Sequence, residues 1–421
     1  ATFREKIKSN KGITLVTLVV TIIIIIILAA VTINVVLGDN GLIEQVKKTK
    51  NIAEGSIENE TEDLNESEKE YANYMAIHKE IGQIKIVPDY RESGEVFDDT
   101  KTIYDEKGNA IVVPEGFKIA SDSGDTVEQG VVIEDVNAST NEEVRGSQFV
   151  WIPVGKFIKD DGTESNEIIL GRYTFDRTSP GTATLQQAAY TKENLENYKT
   201  SKIISSHYDE YSGAHRDGVA SSGSSGLNAT ANDLGEWVDS VRENGGYYIG
   251  RYEASYASGS SVENYKAATK VSEKYSTSSM SYNPGTLWNF ITQLEASKVA
   301  INTYEDSRSV KSDLMNSYAW DTAIVYIQEC GNTNYANQTS KNSSLSNTGT
   351  NNDEVCKIND MASNVFEWTT EYSSFAYSSS ARPCTDRGGG YDNSGVYTAG
   401  RSSNLATGSY DSVGFRISLY M

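Results

Sequence analysis

The sequence predicts an α+β protein: a long membrane-length helix near the amino end, then a globular domain of short strands with few helices. Three observations carry this reading. Ile13 to Leu37 is an apolar run without a single charge. From about residue 84 onward, short Val-, Ile- and Tyr-rich runs alternate with glycine, proline and asparagine turn signals. Only two later stretches, Thr286 to Val299 and Ser317 to Cys330, space their apolar residues as a helix does.

As a helix, the apolar run would reach about 37 Å, enough to cross a hydrocarbon core of about 30 Å with some tilt. Arg4, Lys6, Lys8 and Lys11 precede it, and Asp39 and Glu44 follow. That bias puts the amino end in the cytoplasm and the rest outside. A secretory signal would close on small residues after a shorter run. Here a basic head stops at Gly12, directly before the run. Gly38-Asp-Asn-Gly41 then breaks the helix. Leu42, Val46, Ala53 and Ile57, and later Leu64, Tyr71, Met75, His78 and Ile81, form an amphipathic stripe. His78 reads as a member of that stripe. The expected division is a leader (1–12), a transmembrane helix (13–37), a helical stalk (38–87) and a globular domain (88–421).

Within the globular part, strands are expected over Ile84 to Val87, Ala110 to Val113, Gly130 to Ile133, Phe149 to Gly155 and Gly246 to Glu253. Trp288, Ile291, Leu294 and Ala296 or Val299 would line the first helix; Tyr318, Ala319, Ile324, Tyr326 and Ile327 the second. Polar loops near 176–232, 255–283 and 331–354 are too long for simple connectors. Trp151, Trp237, Trp288, Trp320 and Trp368 are the expected core anchors. In Asn364-Val-Phe-Glu-Trp-Thr369, a strand would put Phe366 and Trp368 on one face and Glu367 on the other. Gly388 to Gly390 read as a packed turn, because no Lys-bearing helix follows to complete a phosphate cradle.

The 37 basic and 58 acidic residues give a net charge of −21. That excludes an electrostatic grip on nucleic acid, which needs a basic face. The 26 tyrosines against 10 phenylalanines favour half-exposed surfaces where a rigid ring also offers a hydroxyl. Tyrosine filling strands is the plainer alternative. Cys330, Cys356 and Cys384 lack metal-type spacing; one disulfide can form in an oxidising place, and any pair is open. His207 and His215 sit in a Ser/Gly/Tyr-rich loop without recognisable ligand spacing.

Lys11-Gly-Ile-Thr-Leu-Val-Thr17 resembles the prepilin peptidase site of type IV pilins and pseudopilins. The resemblance implies cleavage after Gly12, with Ile13 as the new terminus and pilin subunits as candidate partners. Thr17 stands where pilins usually carry a glutamate. Farther along, five motifs occur in order: Phe149-Val-Trp-Ile-Pro-Val-Gly155, Tyr248-Ile-Gly-Arg-Tyr-Glu-Ala254, Asp360-Met-Ala-Ser-Asn-Val-Phe-Glu-Trp-Thr369, Arg387-Gly-Gly-Gly-Tyr391 and Gly414-Phe-Arg416. Together they resemble the formylglycine-generating-enzyme/sulfatase-modifying domain, a variant of the C-type-lectin-like fold. Oxidases of that family use a cysteine pair just after the Arg-Gly-Gly segment to bind copper. Tyr391 to Arg401 contains no cysteine, so that catalysis is not expected. The resemblance also implies a structural Ca²⁺ at Glu367, with carbonyls of Ser363 and Val365. An internal hydrogen-bonded pair is the alternative for Glu367.

The closing segment is similar to the variable region of target proteins diversified by retroelements, which end in the same Gly-Phe-Arg. Its candidate ligand-binding residues are Tyr391, Asp392, Asn393, Ser394, Val396, Tyr397, Ser403, Asn404, Tyr410 and Asp411, expected on polar loops between framework motifs. Tyr, Asn, Ser and Asp supply adaptable recognition chemistry. The expectation is a bacterial cell-surface protein, membrane-anchored or pilus-associated, that binds an extracellular protein or glycan. A minor pilin with a structural head and a cysteine-relocated oxidase are the rivals.

Overall fold

The computed structural model describes residues 85–189, 234–274, 283–372, 376–377, 380–381, 384–393, 395–405 and 407–421. All belong to the second of the two units into which the chain divides, 72–421. Gly12, Ile13, the apolar run 13–37, the stalk up to residue 84 with His78, and His207 and His215 lie outside the described residues. Among those described, no helix is long and apolar enough to cross a membrane.

Among the described residues the first element is the helix α1 (Val87–Ser93), which takes the last residue of the strand expected over 84–87. Pro88 presets helical φ in its first turn, and the Asp89 carboxylate accepts the Ile86 N–H at 2.9 Å. Val87 is fully buried. The chain continues through β1 (Lys101–Tyr104), β2 (Ala110–Val113), β3 (Phe117–Ile119), β4 (Val132–Asp135), β5 (Gln148–Pro153), β6 (Gly171–Phe175) and β7 (Ala183–Ala188). Next come α2 (Leu234–Asn244), β8 (Gly246–Gly250), β9 (Ser255–Ser258) and β10 (Lys266–Ala268). The helices α3 (Gln293–Thr303) and α4 (Ser317–Glu329) flank β11 (Lys311–Leu314). The last part holds β12 (Phe366–Tyr372), a small hairpin of β13 (Ala376–Tyr377) and β14 (Ser380–Ala381), then β15 (Cys384–Arg387), β16 (Arg401–Asn404), β17 (Val413–Phe415) and β18 (Ile417–Tyr420).

Helix α3 starts later than its apolar spacing suggests. Thr292 caps it: its hydroxyl accepts the Glu295 N–H, and the Glu295 carboxylate accepts the Thr292 N–H at 2.8 Å. Trp288 and Ile291 therefore sit in irregular chain before the helix, where the Trp288 N–H donates to the Ala254 carbonyl at 2.9 Å. Helix α4 forms where expected and is buried from Ser317 to Gln328.

Two sheets organise the domain. Six antiparallel strands run β11-β18-β8-β5-β4-β3, and four run β16-β15-β12-β17, with β12 and β17 parallel. Arg416 alone separates β17 from β18, so the chain passes from one sheet to the other at that residue. All five tryptophans are buried. The result is a mixed α+β domain.

Candidate ligand-binding face

Beneath the closing segment lies a closed ring of four charges. Asp321 comes from α4, Glu371 from β12, Arg387 from β15 and Arg401 from β16. Arg387 donates to Asp321 at 2.6 Å and to Glu371 at 3.1 Å; Arg401 donates to Glu371 at 2.8 Å and to the other Asp321 oxygen. Arg387 and Arg401 are direct cross-strand partners, which aims both guanidiniums at the same acids. Burial pushes the Asp321 carboxyl up, but the two guanidiniums outweigh it and leave it below its ordinary value. Burial, with Arg401 alongside, lowers Arg387. Of the four, only Arg387 belongs to a motif visible in the sequence.

A second buried cluster surrounds Arg416. Its guanidinium donates to Glu367 at 2.6 and 3.0 Å, to the Gly250 carbonyl at 2.8 Å and to the Asn359 carbonyl at 2.8 Å. It thus ties the ends of β8 and β12 at the point where the chain changes sheets. The implied Ca²⁺ does not fit here. Both oxygens of Glu367, the one carboxylate the resemblance assigns to the ion, already face the Arg416 guanidinium. Glu367 takes its alternative role, in an internal pair. Among the described residues, no group of three or more His, Cys, Asp and Glu side chains is arranged to hold a metal. Burial pushes Glu253 well above the usual carboxylate range, and neighbouring Asp360 and Glu367 add to the shift. Burial and Asp353 likewise push Asp360 up to about 7.

Asn364, with φ of 65°, links this cluster to the surface. Its amide donates to Glu253 at 2.6 Å, its side-chain oxygen accepts the Ser346 N–H at 2.9 Å, and its carbonyl accepts the Tyr391 N–H at 2.8 Å. The three glycines follow as a packed turn, as expected. A Cβ on Gly388 would lie 2.6 Å from the Met361 carbonyl, and one on Gly389 2.2 Å from that of Ala362.

Above this frame the predicted residues divide. The Tyr391 hydroxyl donates to the Asp411 carboxylate at 3.0 Å, which brings two of them directly together. Partial burial and Asp411 push the Tyr391 phenol up to about 12. Asp392, Asn393 and Asp411 are exposed. Tyr397 is half-buried and takes a partner that the sequence does not signal: Arg177 stacks 3.9 Å from its ring centroid and also bonds its hydroxyl. Val396 and Tyr410 are half-buried and pack against the hydrophobic core.

Ser403 and Asn404 are not on a loop. They belong to β16, paired with Thr385 and Cys384, because the ring through Arg401 locks this segment onto β15. Asn404 points down, donating to Asp386 at 3.2 Å. Burial pushes that aspartate up to about 7, and its second oxygen has no hydrogen-bond partner. Ser394 lies outside the described residues, as does the Ser403 side chain.

The backbone of the face is held by groups outside it. The Thr398 N–H donates to the Gln338 carbonyl at 2.9 Å and the Ala399 N–H to that of Ala336 at 3.0 Å. In the other direction, the Trp320 indole donates to the Thr398 carbonyl and the Arg387 Nε to that of Gly400, both at 3.0 Å. The face's main chain is thereby fixed without its exposed side chains.

No protein-family model matches the chain, and no curated protein does. Two solved structures are distantly similar to it. PvdO from Pseudomonas aeruginosa superposes with a TM-score of 0.29 and 10% identity, over 42% of this chain and 82% of that one. The Major Tropism Determinant P3c variant superposes with a TM-score of 0.25 and 12% identity, over 77% of this chain and 81% of the other.

Proposed function

We propose that the chain is a non-enzymatic, ligand-binding protein of the bacterial cell surface, adhesin-like in action. Its pilin-like amino end anchors it in the membrane or a pilus. Its globular part is a C-type-lectin-like domain of the formylglycine-generating-enzyme type. The observation that carries the reading is the division of labour at the face. Main-chain groups of residues 391–400 are held by Asn364, Gln338, Ala336, Trp320 and Arg387, while Asp392, Asn393 and, nearby, Asp411 project outward. Such a surface can change its side chains while keeping its shape, which suits diversification by a retroelement. The chemistry offered is Tyr, Asn and Asp, matched to a protein or glycan partner. The absence of cysteine from Tyr391 to Arg401 supports a binding role over oxidase chemistry.

The test is direct. The full chain is screened on glycan and protein arrays, and Tyr391→Ala, Asn393→Ala and Tyr397→Ala are compared on every hit. Loss of binding with an unchanged unfolding midpoint supports the reading. Binding that survives all three substitutions overturns it. So does an inert chain whose removal alters surface fibres, which favours the minor-pilin role. Sequencing the same locus in sibling isolates tests diversification: substitutions confined to about 390–412 support it, and an even scatter refutes it.

A further inference from the structure

Two of the three cysteines meet. Cys330 closes the carboxyl end of α4, and Cys356 lies in the turn from Val355 to Ile358. Both segments pack on the turn from Val127 to Gly130. The Tyr326 hydroxyl, one helical turn before Cys330, donates to the Val127 carbonyl at 2.6 Å, and the Gly130 N–H donates to that carbonyl at 3.1 Å. A Cβ on Gly130 would lie 2.2 Å from the Cys356 carbonyl, so the two thiols and the Tyr326 hydroxyl act on one another. The turn is unusual. Cys356 and Lys357 have φ of 47° and 64°, and the N–H and C=O groups of Val355 and Ile358 bond each other in both directions at 2.8–2.9 Å. Two consecutive left-handed residues define a turn that normally takes glycine, asparagine or aspartate. A cysteine held there, facing a second cysteine, marks a position where backbone strain accompanies a side-chain role. Both cysteines are half-buried and so reachable by a small oxidant, whereas Cys384 is fully buried on β15.

We propose that Cys330 and Cys356 form a disulfide that clasps the base of the 331–355 segment. The reaction is thiol–disulfide exchange with a small disulfide oxidant. One cysteine attacks it as the thiolate and releases one small thiol. The second cysteine then attacks the mixed disulfide and releases the other. Two S–H bonds are lost, one protein S–S bond forms, and the oxidant takes up the two electrons. Burial, reinforced by Cys356, pushes the Cys330 thiol well up, so the reaction quickens as the medium turns alkaline.

The clasp bears on the face because the segment it closes supplies much of the scaffold. Ala336 and Gln338 hold the backbone at Ala399 and Thr398, Thr339 bridges Tyr397, and Asn342 and Ser346 hold Asn364. This consequence rests on the binding role proposed above; the disulfide itself does not.

The experiment treats the full chain with oxidised glutathione, unfolds it, counts thiols and maps peptides without reduction. The expected thiol count falls from three to one, with a cross-linked Cys330–Cys356 peptide and the Cys384 thiol still titrated in the unfolded chain. Three thiols after oxidation, or a cross-link that includes Cys384, overturns the proposal. Cys330→Ser and Cys356→Ser should each leave two titratable thiols. The wild-type map decides the question even if a variant fails to fold. Trypsin cleavage after Lys341, inside the clasped segment, should be faster in reduced than in oxidised protein. An equal rate with the disulfide present refutes the clasp's hold on the segment while leaving the bond itself established.

Discussion

Asp386→Asn should stabilise the protein at alkaline pH and hardly at all in acid. Asp386 is fully buried on β15, accepts one hydrogen bond from Asn404, and has one oxygen without a partner. Burial raises its pKa from an unfolded value of 3.8 to about 7. Between those values the folded chain holds a proton that the unfolded chain has lost. Stability therefore declines as pH rises from about 4 to about 7 and is level above that. At pH 8 the whole interval of roughly 3 units applies, about 4 kcal/mol at 1.36 kcal/mol per unit. At pH 5 only about 1 unit has been crossed, costing about 1 to 2 kcal/mol. The asparagine has no such titration. Its new N–H lacks an acceptor, a cost of about 1 kcal/mol that is the same at every pH. The variant's advantage should then be about 2 to 3 kcal/mol larger at pH 8 than at pH 5. Urea unfolding followed by tryptophan fluorescence measures this, since all five indoles are buried. An advantage that is the same at both pH values would refute the reasoning, and so would a variant less stable than wild type at pH 8.

Two further stability predictions follow from the buried clusters. Arg401→Ala leaves Asp321 and Glu371 sharing one guanidinium out of water, and should cost about 3–5 kcal/mol; a urea midpoint close to wild type would contradict the ring. Asp360→Asn should make the decline in stability between pH 4 and 7 shallower, since burial and Asp353 push Asp360 up to about 7. A variant whose decline over that interval matches wild type would count against it.

The parts of the fold written in local pattern were legible. The five tryptophans are buried, β2, β5 and β8 lie on the expected runs, and α4 spans the expected residues because its apolar spacing continues without a break. The start of α3 carried a readable signal that apolar spacing alone passed over: Thr292 and Glu295 stand at capping-box spacing. The four-charge ring was not legible. Arg401 meets Asp321 across 80 positions of sequence, and only the pairing of β15 with β16 turns Arg387 and Arg401 toward the same acids. Ser403 and Asn404 looked like loop because their composition is polar, yet they form an edge strand whose register Arg401 fixes. Arg177 could not be anticipated either, because its only mark is a contact with Tyr397 some 220 positions away.

These buried charges pose an energetic question whose answer bears on function. Apolar residues of similar volume would often serve stability as well as a desolvated Arg–carboxylate ring, so stability alone does not account for it. Direction does. A guanidinium presents donors in a rigid plane and satisfies a carboxylate only in one orientation, so the ring fixes where β15, β16, β12 and α4 stand relative to one another. Arg416 does the same between the two sheets, engaging Glu367 and the Gly250 carbonyl at once. Both devices lie below the face and use none of its exposed side chains. A hydrophobic support would couple the height and tilt of the face to the bulk of each residue packed on it. A charged frame, together with the main-chain bonds from Asn364, Gln338 and Trp320, leaves positions such as Asp392 and Asn393 free to differ while the backbone beneath them stays in place.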